Sequence, residues 1–417
     1  MAKLQPTAVP RLKAQIDAVT GTPDGIPGVA FAAVNKSGDV IFEHASGKLG
    51  FGRPEPMELD SIFWLASCTK LITGIACMQL VEKGVLNLDD VELVERLSPE
   101  LKAVQVLQDD GTLVPKEREI TIRMLLTHTA GFGYSFMNKK LLNSYGARGL
   151  DEFTGSYYEI LSQPLIHQPG ERFEYGINID WVGLLIERAT NTSLNDYFQE
   201  NIFTPLTIKE INMFPTPAML SRLCFMNKRT PDGKLSLNEQ GHITRNQFLA
   251  QTPSERKQLF NHGGHGLFGR PSEYIHILST LLNDGTHPKT GNKILEKHTV
   301  DEMFTNQIPQ FPDFGRCAIN PPRLDLSNPT SDFYPEPNNP PQGWGLTFFL
   351  HVQDSHTHSK GAAWAPGLPN VYWWCDRQRG IGGMIAAQIL PWLDKEVLGF
   401  WVGLEEAING AIEEERR

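Results

Sequence analysis

Apolar residues recur along this chain in two rhythms, and the stretches they mark divide into helices and strands. Between Val9 and Val19, Leu12, Ile16 and Val19 share one helical face with Pro10 in the first turn, which predicts a helix. Gly28 to Val34 and Val40 to His44 read as two strands of a hairpin turned by Asn35-Lys36-Ser37-Gly38-Asp39. This hairpin is expected at a sheet edge, packed on the next helix. That helix gives the strongest pattern of all: a short apolar run from Ile62 to Ala66 leads into Leu71, Ile72, Ile75, Ala76, Met78, Leu80 and Val81 at helical spacing, until Gly84 ends it. Apolar residues cover most of its circumference, so it is expected to be buried. After Leu88-Asp89-Asp90 the chain turns charged and irregular as far as Glu119.

Ile120 to Tyr134 reads as a helix carrying Leu125, Leu126 and His128 and stopped by Gly131, with His128 in a structural role. The turn Gln168-Pro169-Gly170 precedes Phe173 to Thr190, a helix whose apolar positions begin at Trp181. Asn261 to Leu267 is a glycine-dense loop ahead of a helix starting near Pro271. From Ile308 to Gly343 nine prolines exclude regular structure and leave a lid, a pocket wall or a surface excursion. Gly345 to Val352, Asn370 to Cys375 and Ile381 to Leu390 read as strands, and Asp394 to Glu415 as an amphipathic helix returning to the sheet beside the first.

With 417 residues and 40% hydrophobic content, the chain can bury a substantial core. A formal net charge of -10 and the lack of any basic cluster exclude nucleic acid and anionic membranes as main partners. The N-terminus has no continuous apolar core of a signal peptide, and no stretch reaches the roughly 18 apolar residues of a membrane span, so a soluble cytoplasmic protein is expected. Cys68, Cys77, Cys224, Cys317 and Cys375 are odd in number and widely spaced, which fits reduced and mostly buried thiols. His262 and His265 invite a metal reading, yet glycines lie between them and no carboxylate or third histidine stands nearby at ligand spacing. Neither a metal nor a cofactor is expected.

The candidate chemistry sits where the apolar run meets the buried helix. Ser67 falls in the first turn, beside unpaired backbone N–H groups and the positive end of the dipole, and Lys70, three residues on, shares its face. A lysine within an apolar helix is costly to keep charged, so its amine moves toward the range where it can take a serine proton. The same pair also fits a capping serine followed by a lysine that reaches solvent. Cys68, one position off that face, reads as packing.

LASCTKLITGIACMQLVEKGVLNLDD resembles the first motif of the serine β-lactamase and penicillin-binding-protein superfamily, in which the serine is acylated and the lysine assists. Leu125 to Gly131 resembles the L-L-T-H-T-x-G segment of the class C β-lactamases and related esterases. Tyr175 matches the tyrosine of their second motif. The asparagine usual two residues further on is replaced by Ile177, with Asn178 next. Where β-lactamases carry K-T-G, this chain has Trp364-Ala365-Pro366-Gly367. A fungal branch, the lovastatin-type acyltransferases that esterify a polyketide alcohol, is more similar still: Glu174 to Trp181, Gly263 to Gly266, Pro369 to Trp373 and Pro391-Trp392 follow its pattern in order.

The resemblance implies a β-lactamase/transpeptidase-like α+β fold, with an antiparallel sheet built from residues 1–100 and 261–417, a mostly helical part from 101–260, and the active site between them. It implies Ser67 as nucleophile, Lys70 and Tyr175 as proton carriers, and the Ser67 and Leu368 N–H groups as oxyanion hole. Asn178, Phe132, Tyr134, Phe136, Trp344, Trp364, Gly367 and Trp392 are the expected substrate contacts. The expected partners are a small-molecule acyl donor, with an acyl-carrier protein as one possible form, and an alcohol acceptor. Hydrolysis by a carboxylesterase, a β-lactamase and a non-catalytic binding protein of the same fold remain the alternatives.

Overall fold

In the computed structural model, which describes residues 2–333 and 338–412, apolar stretches from both ends of the chain meet in one antiparallel sheet. After helix α1 (Ala8–Thr20) come strands β1 (Gly28–Asn35) and β2 (Val40–Gly47). Much later follow β3 (Gln342–Trp344), β4 (Phe349–His351), β5 (Ala363–Gly367), β6 (Val371–Asp376) and β7 (Ile381–Ala386). Their order is β2-β1-β7-β6-β5-β4-β3, so the predicted hairpin does form an edge. Phe31 faces Ile385 across β1 and β7, and Ala365 faces Trp373 across β5 and β6.

Alternation along β1 sorts its side chains between two layers. Val29, Phe31 and Ala33 pack with Leu12 and Ile16 of α1 and with Val397, Trp401 and Leu404 of the last helix, α5 (Lys395–Gly410). Ala30, Ala32 and Val34 face the larger core, which also holds α2 (Thr69–Glu82). The element lying against β1 and β7 on this side is α4 (Pro271–Leu282). The Ser67 helix, α2, instead packs mainly against α3 (Asn178–Thr190), which corrects the expectation that the hairpin rests on it. A helix buried all round needs neighbours on every side, and here the sheet is not the main one.

Other boundaries move as well. The charged stretch after Asp90 holds two short helices, Val91–Leu97 and Pro99–Ala103, and a small hairpin, Gln105–Leu107 with Leu113–Pro115. Asp90 caps the first by accepting the Leu93 N–H, and Pro99 opens the second. The helix expected to run to Gly131 spans only Ile122–Leu126. There the Thr127 hydroxyl bonds back to Arg123 O and His128 turns left-handed, with φ 54°. The strand expected from Gly345 to Val352 is shortened to β4, with the unexpected β3 ahead of it, and the one expected to reach Leu390 stops at Ala386. Ile389–Leu390 pairs separately with Asn227–Arg229. Helix α5 ends at Gly410, and residues 413–415 of its expected course lie outside the described residues. A single hydrophobic core runs from Ile72 in α2 through Leu125 and Trp181 to Leu278 and Met384, joining the helical stretch to the sheet. Among the described residues no helix is long and apolar enough to cross a membrane.

Candidate active site

The turn that presents Ser67 is held from below. Phe63–Trp64 pairs with Phe268–Gly269, Leu65 N–H donates to Leu267 O at 2.9 Å, and Trp64 Nε1 donates to His265 O at 2.7 Å. Ala66 then takes a left-handed φ of 45°, which costs a non-glycine residue on the order of 1 kcal/mol and persists because its neighbours are pinned. Residues 66–68 form one 3₁₀ turn before α2 begins at Thr69, two residues later than the sequence pattern placed it. Ser67 is therefore the centre of a tight turn at the helix start, partly exposed, while Cys68 beside it is fully buried. Burial pushes the Cys68 thiol far up, so it carries no thiolate at neutral pH.

Lys70 is 1% exposed. Its amine donates to Ser67 Oγ at 3.0 Å, Tyr134 Oη at 3.0 Å and Gly264 O at 2.9 Å, one acceptor for each N–H of an ammonium. Burial lowers its pKa to about 7, against the opposing pull of the Asp180 charge. Tyr175 lies across the same amine, its ring centre 4.7 Å from Nζ. Burial raises its phenol well above the ordinary range, and a hydrogen bond with Ser67 works the other way. Lys70 and Tyr175 thus both meet the serine.

The cleft above Ser67 is lined by Tyr134, Phe136, Tyr175, Gly367, Leu368 and Trp392, all named from the sequence, together with Trp64, Ala66, Met137, Phe153, His265, Phe333 and Pro366. No lysine or arginine is among these lining residues. Phe333 comes from the proline-rich stretch, which therefore walls the cleft; Pro335 and Pro337 lie outside the described residues.

Other sequence candidates lie elsewhere. Phe132 is buried under Trp181, with ring centres 5.6 Å apart. Trp344 donates from Nε1 to Leu126 O and packs edge-on to His128. Trp364 stacks on Phe349 and borders a separate groove beside α5. Asn178 is wholly buried and turns its amide N–H₂ to His128 Nδ1, Phe132 O and Glu174 O, so it braces the Tyr175 loop and does not face substrate. At the first residue of α3, its side chain is directed back into the protein. His128 accepts that amide and stacks 4.6 Å from Tyr175, a structural position.

Opposite Ser67, the end of β5 approaches so closely that a Cβ on Gly367 would stand 2.7 Å from Leu65 O. Asn370, at φ 59°, holds the turn that follows: Nδ2 donates to Ile389 O and Pro391 O, while Oδ1 accepts from Tyr372 Oη and the Asp394 N–H. This bracing sets Leu368 and Trp392 at the cleft.

The glycine loop corrects the reasoning about His262 and His265. A carboxylate does stand beside them: Asp180, 82 residues earlier, brings a potential ligand atom within 4.8 Å of one on each histidine. Asp180 Oδ1 is already engaged by Gly264 N–H at 3.0 Å and by His262 Nδ1 at 3.3 Å, and His265 Nε2 meets Glu152 O. A dication would stand beside the Lys70 amine. Asp180 Oδ2, His262 Nε2 and His265 Nδ1 are left without a hydrogen-bond partner among the described residues, and what speaks against a metal there is the neighbouring amine.

The sequence model of the family described as Beta-lactamase matches residues 16–407, nearly the whole chain. The chain belongs to the β-lactamase family. Within that family it is 32% identical over 388 residues to the monacolin J acid methylbutanoyltransferase of Aspergillus terreus, covering 88% of both chains. It is 30% identical over 393 residues to the lovastatin esterase of Penicillium rubens, covering 88% of this chain and 90% of the relative. Unliganded simvastatin synthase from Aspergillus terreus superposes with a TM-score of 0.76 at 28% identity, covering 97% of this chain and 99% of that one. The β-lactamase-like α+β architecture expected from the motifs is the one observed, and the relatives include an acyltransferase and an esterase.

What sequence reasoning missed in this β-lactamase-family chain are mainly residues whose neighbours lie far along the chain. Trp64 falls in the apolar run ahead of Ser67 and His265 in the glycine loop, and no local pattern singles out Phe153. The Asp180 contact had one legible sign, an aspartate in an otherwise apolar helix segment, Ile179 to Ile186.

Proposed function

We propose that the protein is a serine acyltransferase that moves an acyl group from a thioester or ester to the alcohol of a polyketide-like small molecule. The observation that carries this reading is the Lys70 amine, fully buried yet 3.0 Å from a partly exposed serine hydroxyl, beneath an aromatic cleft with no lysine or arginine among its described lining residues. With a pKa of about 7, a large share of Lys70 is neutral at physiological pH and can accept the Ser67 proton as Oγ attacks the donor carbonyl. The oxyanion falls to the N–H groups of Ser67 and Leu368. As the intermediate collapses, the carbonyl–sulfur or carbonyl–oxygen bond breaks and the leaving group takes a proton back from Lys70. An acyl ester remains on Ser67. The acceptor hydroxyl then attacks that ester, its proton passes to Lys70 or through the Tyr175 phenol, and Ser67 leaves with a proton returned. An acyl-carrier protein fits as donor because the cleft needs only the thioester end.

Hydrolysis is the second reading, favoured by the esterase among the relatives. The same acyl-enzyme serves both, and a bound alcohol competes with water through its effective concentration. A small acyl thioester incubated with a panel of polyketide alcohols separates them by mass spectrometry. Ester product rising with alcohol concentration supports transfer; free acid alone at every concentration leaves a carboxylesterase. No acyl-enzyme with any donor, and no turnover, leaves a binding protein of this fold.

A further inference from the structure

Behind Lys70, on the side away from the cleft, lies a buried carboxylate to which the acyl-transfer reading gives no task. Asp180 is 0% exposed. Burying a carboxylate is expensive unless hydrogen bonds and opposite charge compensate for it. Its Oδ1 accepts from Gly264 N–H at 3.0 Å and lies 3.3 Å from His262 Nδ1, and among the described residues no lysine or arginine lies within 4.0 Å of it. The lysine joined to it is Lys70, through a single residue: Gly264 gives its N–H to Asp180 and its carbonyl to the Lys70 amine. The loop has no room for a side chain there, since a Cβ on Gly264 would stand 2.6 Å from Asp180 Oδ2. Thr73 Oγ1 donates to Gly263 O at 2.7 Å and fixes the preceding peptide to α2.

We propose that Asp180 is a positioning residue for Lys70, acting through Gly264 to hold the carbonyl on the amine and supplying buried counter-charge for the ammonium formed when Lys70 takes the Ser67 proton. This rests on the role given to Lys70 above. The other titratable groups around the amine come from three directions: Cys68 from the Ser67 turn, Tyr134 and His128 from the loop after the Ile122–Leu126 helix, and Tyr175 and His265 from the loops beside α3 and α4. Burial pushes Cys68 and both tyrosines up and both histidines down, so near neutral pH these five are uncharged. Glu152, raised to about 7 by burial, sits behind Tyr134 and is held by Ser135. Asp180 is thus the charge that favours the Lys70 ammonium, and removing it makes the amine a weaker base.

The test is the pH profile of kcat/KM for acylation by a chromogenic short-chain ester. Asp180→Asn keeps the shape and an oxygen acceptor for Gly264 N–H but removes the charge. The expected result is a folded protein whose acid limb moves about one unit to lower pH, with acylation above the limb about tenfold slower. A slower enzyme whose limb stays in place means only a structural role and overturns the proposal. If Asp180→Asn does not fold, Gly264→Ala, which pushes the carboxylate aside, is expected to move the limb the same way; an unmoved limb again overturns it. Lys70→Ala run alongside separates the two levels: wild-type acylation in that variant removes the role of Lys70 itself, whereas an inactive Lys70→Ala with an unmoved Asp180→Asn limb removes this inference alone. Stoichiometric zinc in the purified protein, lost in Asp180→Asn, would also replace it.

Discussion

The Lys70 amine lies 3.0 Å from Tyr134 Oη, the same distance at which it meets Ser67 Oγ. Tyr134 was legible from the sequence only as an aromatic wall, yet its hydroxyl takes one of the three N–H groups of a fully buried ammonium. Tyr134→Phe leaves that donor without its partner, which costs about 1–3 kcal/mol in the charged state. Acylation is expected to fall roughly tenfold or more, with little change in KM and the acid limb displaced to lower pH. Stopped-flow acylation across the pH range checks it; unchanged kinetics would leave Tyr134 as packing.

Lys70 also ties activity and stability to pH, and in the same sense. In its proposed role as general base it works when neutral, so acylation should rise as pH passes through about 7. In the unfolded chain its pKa returns to about 10.5, so between pH 7 and 10.5 the unfolded state binds more protons and the Lys70 contribution to stability grows with pH, by at most about 1.4 kcal/mol per unit. Below pH 7 both states are protonated and the full burial cost is present. Lys70→Met should be inactive, and its stability advantage over the native chain should shrink between pH 7 and 9.5 in urea titrations. A constant difference across that window would mean that Lys70 carries no such cost.

How much of this was legible depended on the distance over which residues had to meet. Ser67 and Lys70 are three apart on a helix, so their periodicity alone brought them together, and Tyr175 followed from the second motif. Asn178 was misread because a motif position carries no direction: the helix begins at that residue and aims its amide at His128. Asp180 and His262 are 82 residues apart, and only folding of the glycine loop between α2 and α3 joins them. Trp344 and Phe132 have the composition of pocket residues, but each is covered by other aromatic groups, and no local pattern distinguishes a lining ring from a buried one.

Ser67 makes no side-chain cap to the helix, whose regular part starts after it. Ser67→Ala should therefore cost no cap, only the hydrogen bond from Lys70, about 1–3 kcal/mol while the amine is charged, and should abolish acyl-enzyme formation. Intact-protein mass spectrometry after a fluorophosphonate or a chromogenic ester reads this directly. A mutant still acylated, at Cys68 for instance, would sink the assignment, although that thiol is buried and protonated.

Asn370 joins four hydrogen-bonding groups around the turn that places Leu368, and its left-handed φ suits asparagine or glycine. Asn370→Ala should lose roughly 3 kcal/mol in urea unfolding, and acylation should fall in molecules that remain folded, because the turn carrying Leu368, the proposed oxyanion donor, is no longer held. Asn370→Gly restores the backbone preference but not the bonds, so it should recover only part of the stability. Full recovery in glycine would place the whole effect in φ.

Penicillins should be negligible substrates, for a reason of charge. A β-lactam brings a carboxylate into the cleft, and the residues lining this one include no lysine or arginine to receive it. In the stretch Trp364-Ala365-Pro366-Gly367, which stands in place of K-T-G, Trp364 turns toward Phe349 and Trp401, and Pro366 faces the cleft without an N–H to donate. Desolvating the carboxylate there without a charged partner costs several kcal/mol, on the order of a thousandfold in kcat/KM. An apolar acyl chain makes no such demand and gains from the same aromatic walls. Nitrocefin hydrolysis measured beside short-chain ester hydrolysis, on one preparation of the protein, decides it: rapid nitrocefin cleavage at rates matching the ester would mean that another group receives the carboxylate and that the K-T-G replacement does not set specificity.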